Sequence, residues 1–456
     1  MSDAQAVLMA ACAVLGCLVA RAVPLWVCVT FVAVALTLRA PWLAVLAALL
    51  LGSAWSARAW DAVSVPSERP APQAYSGPAV LVADPVRVGA VTHAVLRIAA
   101  KRYDVWAHGS PGRRLLRRSA FQVVWVEGSL RPPPSRRWRR LALRHIVGEM
   151  QLRMVLDWSS GSPLARSTQR TRDALEHGAA ALNPVDRSLF LGLVIGDDRN
   201  EPPSLVSDFR GAGLGHLTAV SGQNVAFLLA VASPVLRRCR PLWRWLLTVS
   251  LLAWFAALTR FEPSVLRATV MAGLSATAFG LGRVATPLRL LALAVTALVI
   301  VDPFLVWSPG FWLSVSATTG IVLLARRVAA ALPGPRWLAL AAAVTLTAQV
   351  GVAPVAWLVF GREAVWALPA NVLAEPVAAF VMTYGLPAGL LAAALPRPLA
   401  AVVHGPNLLA LRWLRLVAGT AASGDWPWAR PVVSLGGMLL VGWLLRRSAR
   451  AVGSAR

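Results

Sequence analysis

The sequence predicts a polytopic α-helical membrane protein with one small β domain inserted near its N-terminus, and three observations lead to this fold class. Hydrophobic residues make up 57% of the 456-residue chain and charged residues only 14%, whereas soluble domains carry about 25% charged residues. Apolar runs of near-spanning length recur and predict about eleven to twelve transmembrane helices. Between residues 58 and 165 the apolar runs shorten to strand length between turn-forming residues, which is typical of a β domain.

These runs divide the chain into five predicted regions. Residues 1–57 form N-terminal transmembrane helices, 58–165 the β domain, 166–212 an amphipathic lead-in, 213–446 a second transmembrane domain and 447–456 a basic tail. Helices of the first region are expected at about 6–20, 23–38 and 41–56, and strands of the β domain at 78–82, 92–100 and 120–126. Helices of the second transmembrane domain are expected at about 214–236, 242–259, 264–281, 288–301, 309–325, 337–360, 364–395, 398–419 and 430–445.

Arginines between the helices of the second domain predict its orientation, because Lys and Arg in short loops accumulate on the cytoplasmic side. One set of alternate loops and the tail hold fourteen arginines: Arg237, Arg238, Arg240, Arg244, Arg283, Arg289, Arg326, Arg327, Arg336, Arg397, Arg446, Arg447, Arg450 and Arg456. The other set holds three: Arg260, Arg362 and Arg430. We therefore expect the β domain outside the membrane and the tail in the cytoplasm. Arg412 and Arg415 leave open an interfacial position for 398–419.

The sequence lacks the motifs that mark several kinds of chemistry. The only lysine, Lys101, follows two alanines, so no phosphate-binding P-loop is present and any pumping must draw energy from a partner or a gradient. The six histidines lack the spacing of a metal site, and the four cysteines suggest neither a metal site nor a disulfide framework. We predict no catalytic residue, no metal and no cofactor, and hence a protein that is not an enzyme.

Polar residues inside the predicted spans are the first candidate site. Polar groups are costly in lipid, so they either line a cavity or path, or hydrogen-bond between helices or at the interface. Both readings remain open from the residues alone. The candidates are His216, Thr218, Ser221, Gln223, Asn224, Arg267, Gln349, Asn371 and Glu375.

A basic and aromatic cluster in the β domain is the second candidate site. It consists of Arg136, Arg137, Trp138, Arg139 and Arg140. Arginines neutralise the phosphates of a nucleic acid, and an exposed tryptophan stacks on its bases. The net charge of +25 equally suits anionic lipid headgroups, so a membrane-surface role stays open.

An ordered series of motifs in the second half resembles the ComEC family of competence proteins. Gly196-Asp197 is followed by FRGAGLGHLTAVSGQNV at 209–225, which is similar to the family pattern F-x-x-A-G-L-x-H-L-x-A-I-S-G-x-H-V. Further similarities are PSVLRATVMA at 263–272, Asp302-Pro303, PGFWLSVS at 309–316, Gln349 with Pro354, and PANVLAEP at 369–376. The resemblance covers about residues 190–395, and the β domain resembles the family's extracytoplasmic OB-like domain.

The resemblance implies a channel in the bacterial inner membrane that passes single-stranded DNA into the cytoplasm during natural transformation. A cytoplasmic helicase-type ATPase, a separately encoded nuclease, an extracytoplasmic DNA receptor and membrane lipids are the expected partners. Asn224 stands where the family has a histidine, which puts any role of that imidazole in doubt. A metallo-β-lactamase-like domain found in many members has no counterpart in this sequence. A transporter of small solutes or lipid-linked molecules, and a non-catalytic scaffold, are the alternatives.

Overall fold

A computed structural model describes residues 2–38, 40–64, 71–218, 222–282, 285–360, 366–424 and 442–443. Helices dominate these residues, and their strands form one sheet. The chain divides into two compact units. We call Leu8–Arg172 with Thr296–Trp307 the mixed unit, and Met1–Val7 with Asp173–Val295 and Ser308–Arg456 the helical unit.

Three helices open the chain: α1 (Asp3–Val19), α2 (Leu25–Thr37) and α3 (Pro41–Val63). Glycine lets α1 and α3 approach closely, because a Cβ on Gly16 would collide with the backbone of Leu49, and one on Gly52 with the backbone of Ala13. In lipid the hydrophobic effect does not drive helices together, and close contacts at small residues let them associate instead. The third helix extends beyond residue 56, to Val63.

The sheet lies in the mixed unit. Its elements are β1 (Gln73–Leu81), β2 (Val86–Val88), β3 (Val91–Ile98), β4 (Lys101–Ala107), α4 (Gly109–Leu116), β5 (Val123–Arg131), α5 (Trp138–Ala142) and β6 (Ile146–Ser159). The strand order is β1-β5-β6-β4-β3-β2, and β1 also pairs with β3 at Val80 and Arg97. This last pairing closes five strands into a ring. Only the β4–β6 pair is parallel among the described strands.

Apolar side chains fill one face of the sheet. Leu81, Leu96, Val105, Val124 and Val126 are fully buried there, and the side-chain period of two places alternate residues on the opposite face. The predicted strands at 78–82, 92–100 and 120–126 overlap β1, β3 and β5. The strands β2, β4 and β6 lie outside the predicted ranges.

The remaining chain is helical. Its elements are α6 (Pro163–Gly178), a 3-10 turn (Ala179–Ala181), α7 (Pro184–Ile195), α8 (Pro203–Gly211), α9 (Gly215–Thr218), α10 (Gly222–Leu236), α11 (Pro241–Leu258), α12 (Pro263–Gly280), α13 (Pro287–Val301), a 3-10 turn (Pro303–Trp307), α14 (Pro309–Ala331), α15 (Arg336–Phe360), α16 (Ala367–Ala393) and α17 (Arg397–Ser423). Many of these helices begin at proline, whose missing N–H costs nothing at a first turn. The lead-in helix expected in 166–212 thus begins earlier, at Pro163.

Five helices are long and apolar enough to cross a membrane: Pro41–Val63, Pro241–Leu258, Pro309–Ala331, Leu338–Val359 and Pro369–Ala393. Four shorter apolar helices are Asp3–Val19, Leu25–Ala35, Gly222–Leu236 and Pro287–Val301. The chain is therefore a membrane protein with a small β-sheet region, as predicted. All but two residues of the run 430–445, and the whole tail 447–456, lie outside the described residues.

Glycine also mediates close packing within the helical unit. The helices α14 and α15 cross where Gly320 faces the carbonyl of Thr347 and Gly351 faces the carbonyl of Ser316. A Cβ at either glycine would overlap that carbonyl oxygen. The two backbones approach closely because both positions lack a side chain.

We predict that Gly320→Val destabilises the protein by about 1–3 kcal/mol, because the added side chain forces α14 and α15 apart. Thermal unfolding of the detergent-purified chain measures the effect. Gly273→Val on α12 is the matched control, since a Cβ there meets nothing within 4 Å. Equal losses for the two variants would contradict the proposed crossing.

Candidate functional site

A tight turn follows α7 in the helical unit. Gly196 ends the helix with a φ of +69°, a left-handed conformation that favours glycine. The next residue, Asp197, accepts two hydrogen bonds from Arg199, from Nε to Oδ1 at 2.7 Å and from Nη2 to Oδ2 at 2.5 Å. A two-point guanidinium–carboxylate pair fixes its geometry more tightly than a single contact, so this pair holds the turn in shape.

Glu201 lies beside this turn with a buried carboxyl oxygen. Its Oε1 has no hydrogen-bond partner and occupies the space that a side chain at Gly192 would need. Neither α7 nor α8 is a candidate span. Burial, with the negative charges of Asp198 and Asp197, raises the pKa of Glu201 to about 7 against the opposing charge of Arg210. This carboxyl therefore changes charge near neutral pH.

The described part of the glycine-rich motif at 209–225 contains a tight turn between α8 and α9. After α8, Gly213 adopts a φ of +73°, and the N–H of Leu214 donates to the carbonyl of Phe209 at 2.7 Å. The short α9 carries His216, which is exposed, and Thr218, whose hydroxyl donates to the carbonyl of Gly215. Ser221 lies outside the described residues.

Helix α10 carries two of the predicted residues, with different surroundings. Gln223 is exposed. Asn224 is 4% exposed, and its Nδ2 donates to the carbonyl of Leu193 in the last turn of α7 at 3.0 Å. This bond gives Asn224 a structural role in joining α10 to α7.

The remaining predicted residues of the helical unit differ in whether their polar atoms have hydrogen-bond partners. Arg267 on α12 is 6% exposed, and its Nε and Nη1 have no hydrogen-bond partner. Asn371 on α16 is 4% exposed with an unpartnered Oδ1. One turn later, Glu375 Oε2 accepts a 2.6 Å hydrogen bond from Thr345 of α15. Gln349 is half-buried on α15. The helix α10 packs against both α12 and α16.

Arg415 joins α17 to another helix of the unit. Its Nη1 lies 2.8 Å from Oδ1 of Asp186, a fully buried carboxylate on α7. Removing one partner of such a pair would leave an uncompensated buried charge. The pair ties α17 to α7, although Arg415, like Arg412, is exposed.

The basic cluster of the mixed unit divides into exposed arginines and a packed tryptophan. Arg136, Arg137, Arg139 and Arg140 are exposed around the start of α5. Trp138 is half-buried: its Nε1 donates to the carbonyl of Val63 at 3.0 Å, and its ring lies 6.1 Å from that of Trp60. The guanidinium of Arg139 lies 5.6 Å from the Trp307 ring. Base stacking by Trp138 would break contacts with α3.

Two neighbouring strands carry an aromatic and polar group that sequence reasoning missed. The carboxylate of Asp104 accepts from Trp106 Nε1 at 2.8 Å and lies 2.7 Å from His93 Nε2. Burial alone would raise the pKa of Asp104, but these two hydrogen bonds outweigh it and hold the pKa below its ordinary value. Trp106 remains 40% exposed. The alternation of Tyr103, Val105 and Ala107 was the signal for this strand.

Charged neighbours connect this group to the basic cluster. Glu149 on β6 stands opposite Asp104 on β4. Burial raises the pKa of Glu149, the charge of Asp104 raises it further, and the charge of Arg137 opposes them. The positive charge of Arg144 likewise lowers the pKa of Asp104. We call the resulting surface the sheet patch, which consists of His93, Asp104, Trp106, Arg137, Arg144 and Glu149.

Comparison with known proteins adds one family and two relatives. A family model described as "Competence protein" matches residues 193–450. The uncharacterized protein YcaI of Escherichia coli is 26% identical over 211 residues, which cover 42% of this chain and 28% of that protein. ComE operon protein 3 of Bacillus subtilis is 24% identical over 244 residues, 53% of this chain and 31% of that protein. The matches thus span less than a third of either relative. No solved structure matches.

We predict that Glu201→Gln stabilises the protein at alkaline pH. A carboxyl whose pKa is raised from 4.5 to about 7 costs folding free energy that grows as pH rises between these values. The variant should therefore exceed the wild type by roughly 2 kcal/mol at pH 8 and match it near pH 4.5. Unfolding measured between these pH values checks this, with Glu127→Gln at an exposed position as control. A pH-independent difference would contradict the assignment.

Proposed function

The chain belongs to the competence protein family, whose model matches more than half of its residues, and we propose that it is a membrane component through which single-stranded DNA enters the cytoplasm. A role in DNA uptake follows from the family. The observation that carries the finer proposal is the set of buried polar groups without partners on α12 and α16, at Arg267 and Asn371. Buried polar groups normally find a partner in the protein, so groups without one suit a path for a polar, charged polymer.

We propose that the sheet of the mixed unit is an OB-like domain. Three features support this: the ring of β1, β3, β4, β6 and β5, the parallel pairing of β4 with β6, and the helix α4 between β4 and β5. OB folds are five-stranded barrels whose exposed faces bind single strands through cationic grooves and aromatic stacking.

The sheet patch and the exposed arginines suit the first contact with the strand. Arg136, Arg137 and Arg140 supply positive charge, and Trp106 offers an exposed ring on a neighbouring strand. Asp104 is only 4% exposed, and His93 lies within hydrogen-bond distance of its carboxylate. We propose that this surface replaces Trp138 as the stacking site.

We also propose how the chain is oriented in the membrane, which helices span it and which partners it has. The arginine alternation supports a β domain outside the bacterial inner membrane and a cytoplasmic tail, with the shorter apolar helices, α12 and α17 completing the bundle. A cytoplasmic helicase-type ATPase would drive the strand, and an extracytoplasmic receptor and a separate nuclease would deliver it. The chain itself would catalyse no reaction.

One observation favours a second candidate, proton-coupled transport of a small solute. Glu375 lies inside the apolar helix α16, with Thr345 of α15 donating to its carboxyl at 2.6 Å. Carboxylates within membrane helices often mark proton or ion paths. Solute uptake into vesicles that requires Glu375 would favour this candidate over a DNA path.

We predict that the chain restores entry of labelled DNA into the cytoplasm of a strain from which it has been deleted.

Asn371→Leu should lower that entry about tenfold, because it removes a polar group from the path while leaving the fold intact. A polar contact to a charged ligand is worth about 1.5–3 kcal/mol. Thr383→Val on the same helix is the control, since that hydroxyl bonds to its own helix at Ala379. Tolerance of every such substitution would favour a scaffold.

We predict that replacing Arg136, Arg137 and Arg140 by Gln weakens binding of a thymidine oligomer and flattens its salt dependence. Each phosphate contact contributes about 0.7 to the slope of log affinity against log salt for single strands, so the slope should fall by about 2. Fluorescence anisotropy of the purified chain across salt concentrations measures it. Replacing the exposed Arg87, Arg113 and Arg117 is the charge-matched control, and an equal loss there would point to non-specific attraction.

A further inference from the structure

Arg267 is a buried cation without a counterpart among the described residues. Its side chain is 6% exposed on α12, and its Nε and Nη1 are buried without a hydrogen-bond partner. The guanidinium keeps its charge in proteins and carries five donors in a planar fork. Other arginines of the same unit have visible partners, such as Arg199 with Asp197 and Arg289 with Asp3. Arg267 therefore presents donors that no described acceptor uses.

Gly222 of α10 lies close beside this guanidinium. A Cβ built on it would lie 3.5 Å from Arg267 Nη2 and only 3.1 Å from the Cβ of Ala268, so a larger residue would fill the space beside Nη2. A close approach of α10 and an unpartnered buried guanidinium thus meet at one point, and the guanidinium favours an anion.

We infer that Arg267, where it faces Gly222 of α10, forms a binding site for a phosphodiester anion inside the helical unit. The planar fork of arginine matches two oxygens of a phosphate. The inference rests on the proposed function, because the passing strand would supply the phosphodiester. A lipid headgroup carries the same chemistry and is the other source.

A buried charge without a partner has a consequence for the ligand-free protein. Such a charge is costly, and an anion that binds it offsets the cost. Arg267→Gln should therefore leave the ligand-free chain as stable as the wild type or more so. An arginine with a structural partner would behave in the opposite way, because its loss would break a buried network.

The test uses the full chain in nanodiscs of phosphatidylcholine and a thymidine dinucleotide, which has one phosphodiester. The dinucleotide should raise the unfolding temperature of the wild type, and Arg267→Gln should weaken its binding about tenfold to a hundredfold. Arg412→Gln, an exposed arginine of the same unit, should bind within twofold of the wild type. The methylphosphonate dinucleotide, which lacks the charge, should not bind at this site.

A second variant leaves the charge in place. Gly222→Val narrows the space beside Nη2, so it should weaken dinucleotide binding while Arg267 remains.

Unchanged binding by Arg267→Gln, or a ligand-free Arg267→Gln that unfolds earlier than the wild type, overturns the site. Stabilisation by phosphatidylglycerol nanodiscs but not by the dinucleotide assigns it to lipid and overturns the strand as its source. If the wild type binds the dinucleotide through Arg267 yet restores no DNA entry, the proposed function fails and the anion site stands.

Discussion

Helices in a bilayer gain little from hiding apolar surface from one another, because the lipid is equally apolar, and close backbone contact takes over as the source of cohesion. This constraint shapes both units. Gly16 and Gly52 let α1 and α3 touch, and Gly320 and Gly351 do the same for α14 and α15. Threonines such as Thr347 turn their hydroxyls back to their own helix carbonyls, which keeps polar groups satisfied at the contact. Other features of the helical unit depend on this packing.

The same constraint gives weight to polar groups that are not satisfied. Asp186 is fully buried but paired with Arg415, and Asn224 is buried but bonded to the carbonyl of Leu193. These groups connect helices and need no other explanation. Arg267 and Asn371 are as deeply buried without such partners for the atoms in question. In an apolar surrounding an unpaired polar group is costly. These two positions are therefore the strongest candidates for contact with a passing strand or a bound anion.

Patterns local to a few residues were predictable, and contacts between distant residues were not. Apolar run length identified the helices, since a spanning helix requires about twenty apolar residues. The strands β4 and β6 were not predicted because polar residues at alternate positions leave them without a continuous apolar run. A parallel pair between them also requires distant segments to meet. Trp138 was expected to stack on bases because it stands among arginines. Its partners, Val63 and Trp60, lie over seventy residues earlier in the chain, beyond the reach of a local pattern.

The two proposed contacts with DNA differ in a way that suits transport. Arginines on the sheet surface are solvated, so each contributes little and salt weakens it. Arg267 is desolvated, so a phosphate beside it would be held more strongly. A conduction path requires binding favourable enough for entry and weak enough for release. A strand carries identical phosphates along its length, so each phosphate that leaves Arg267 is followed by another, and the cost of release is offset by the next binding event.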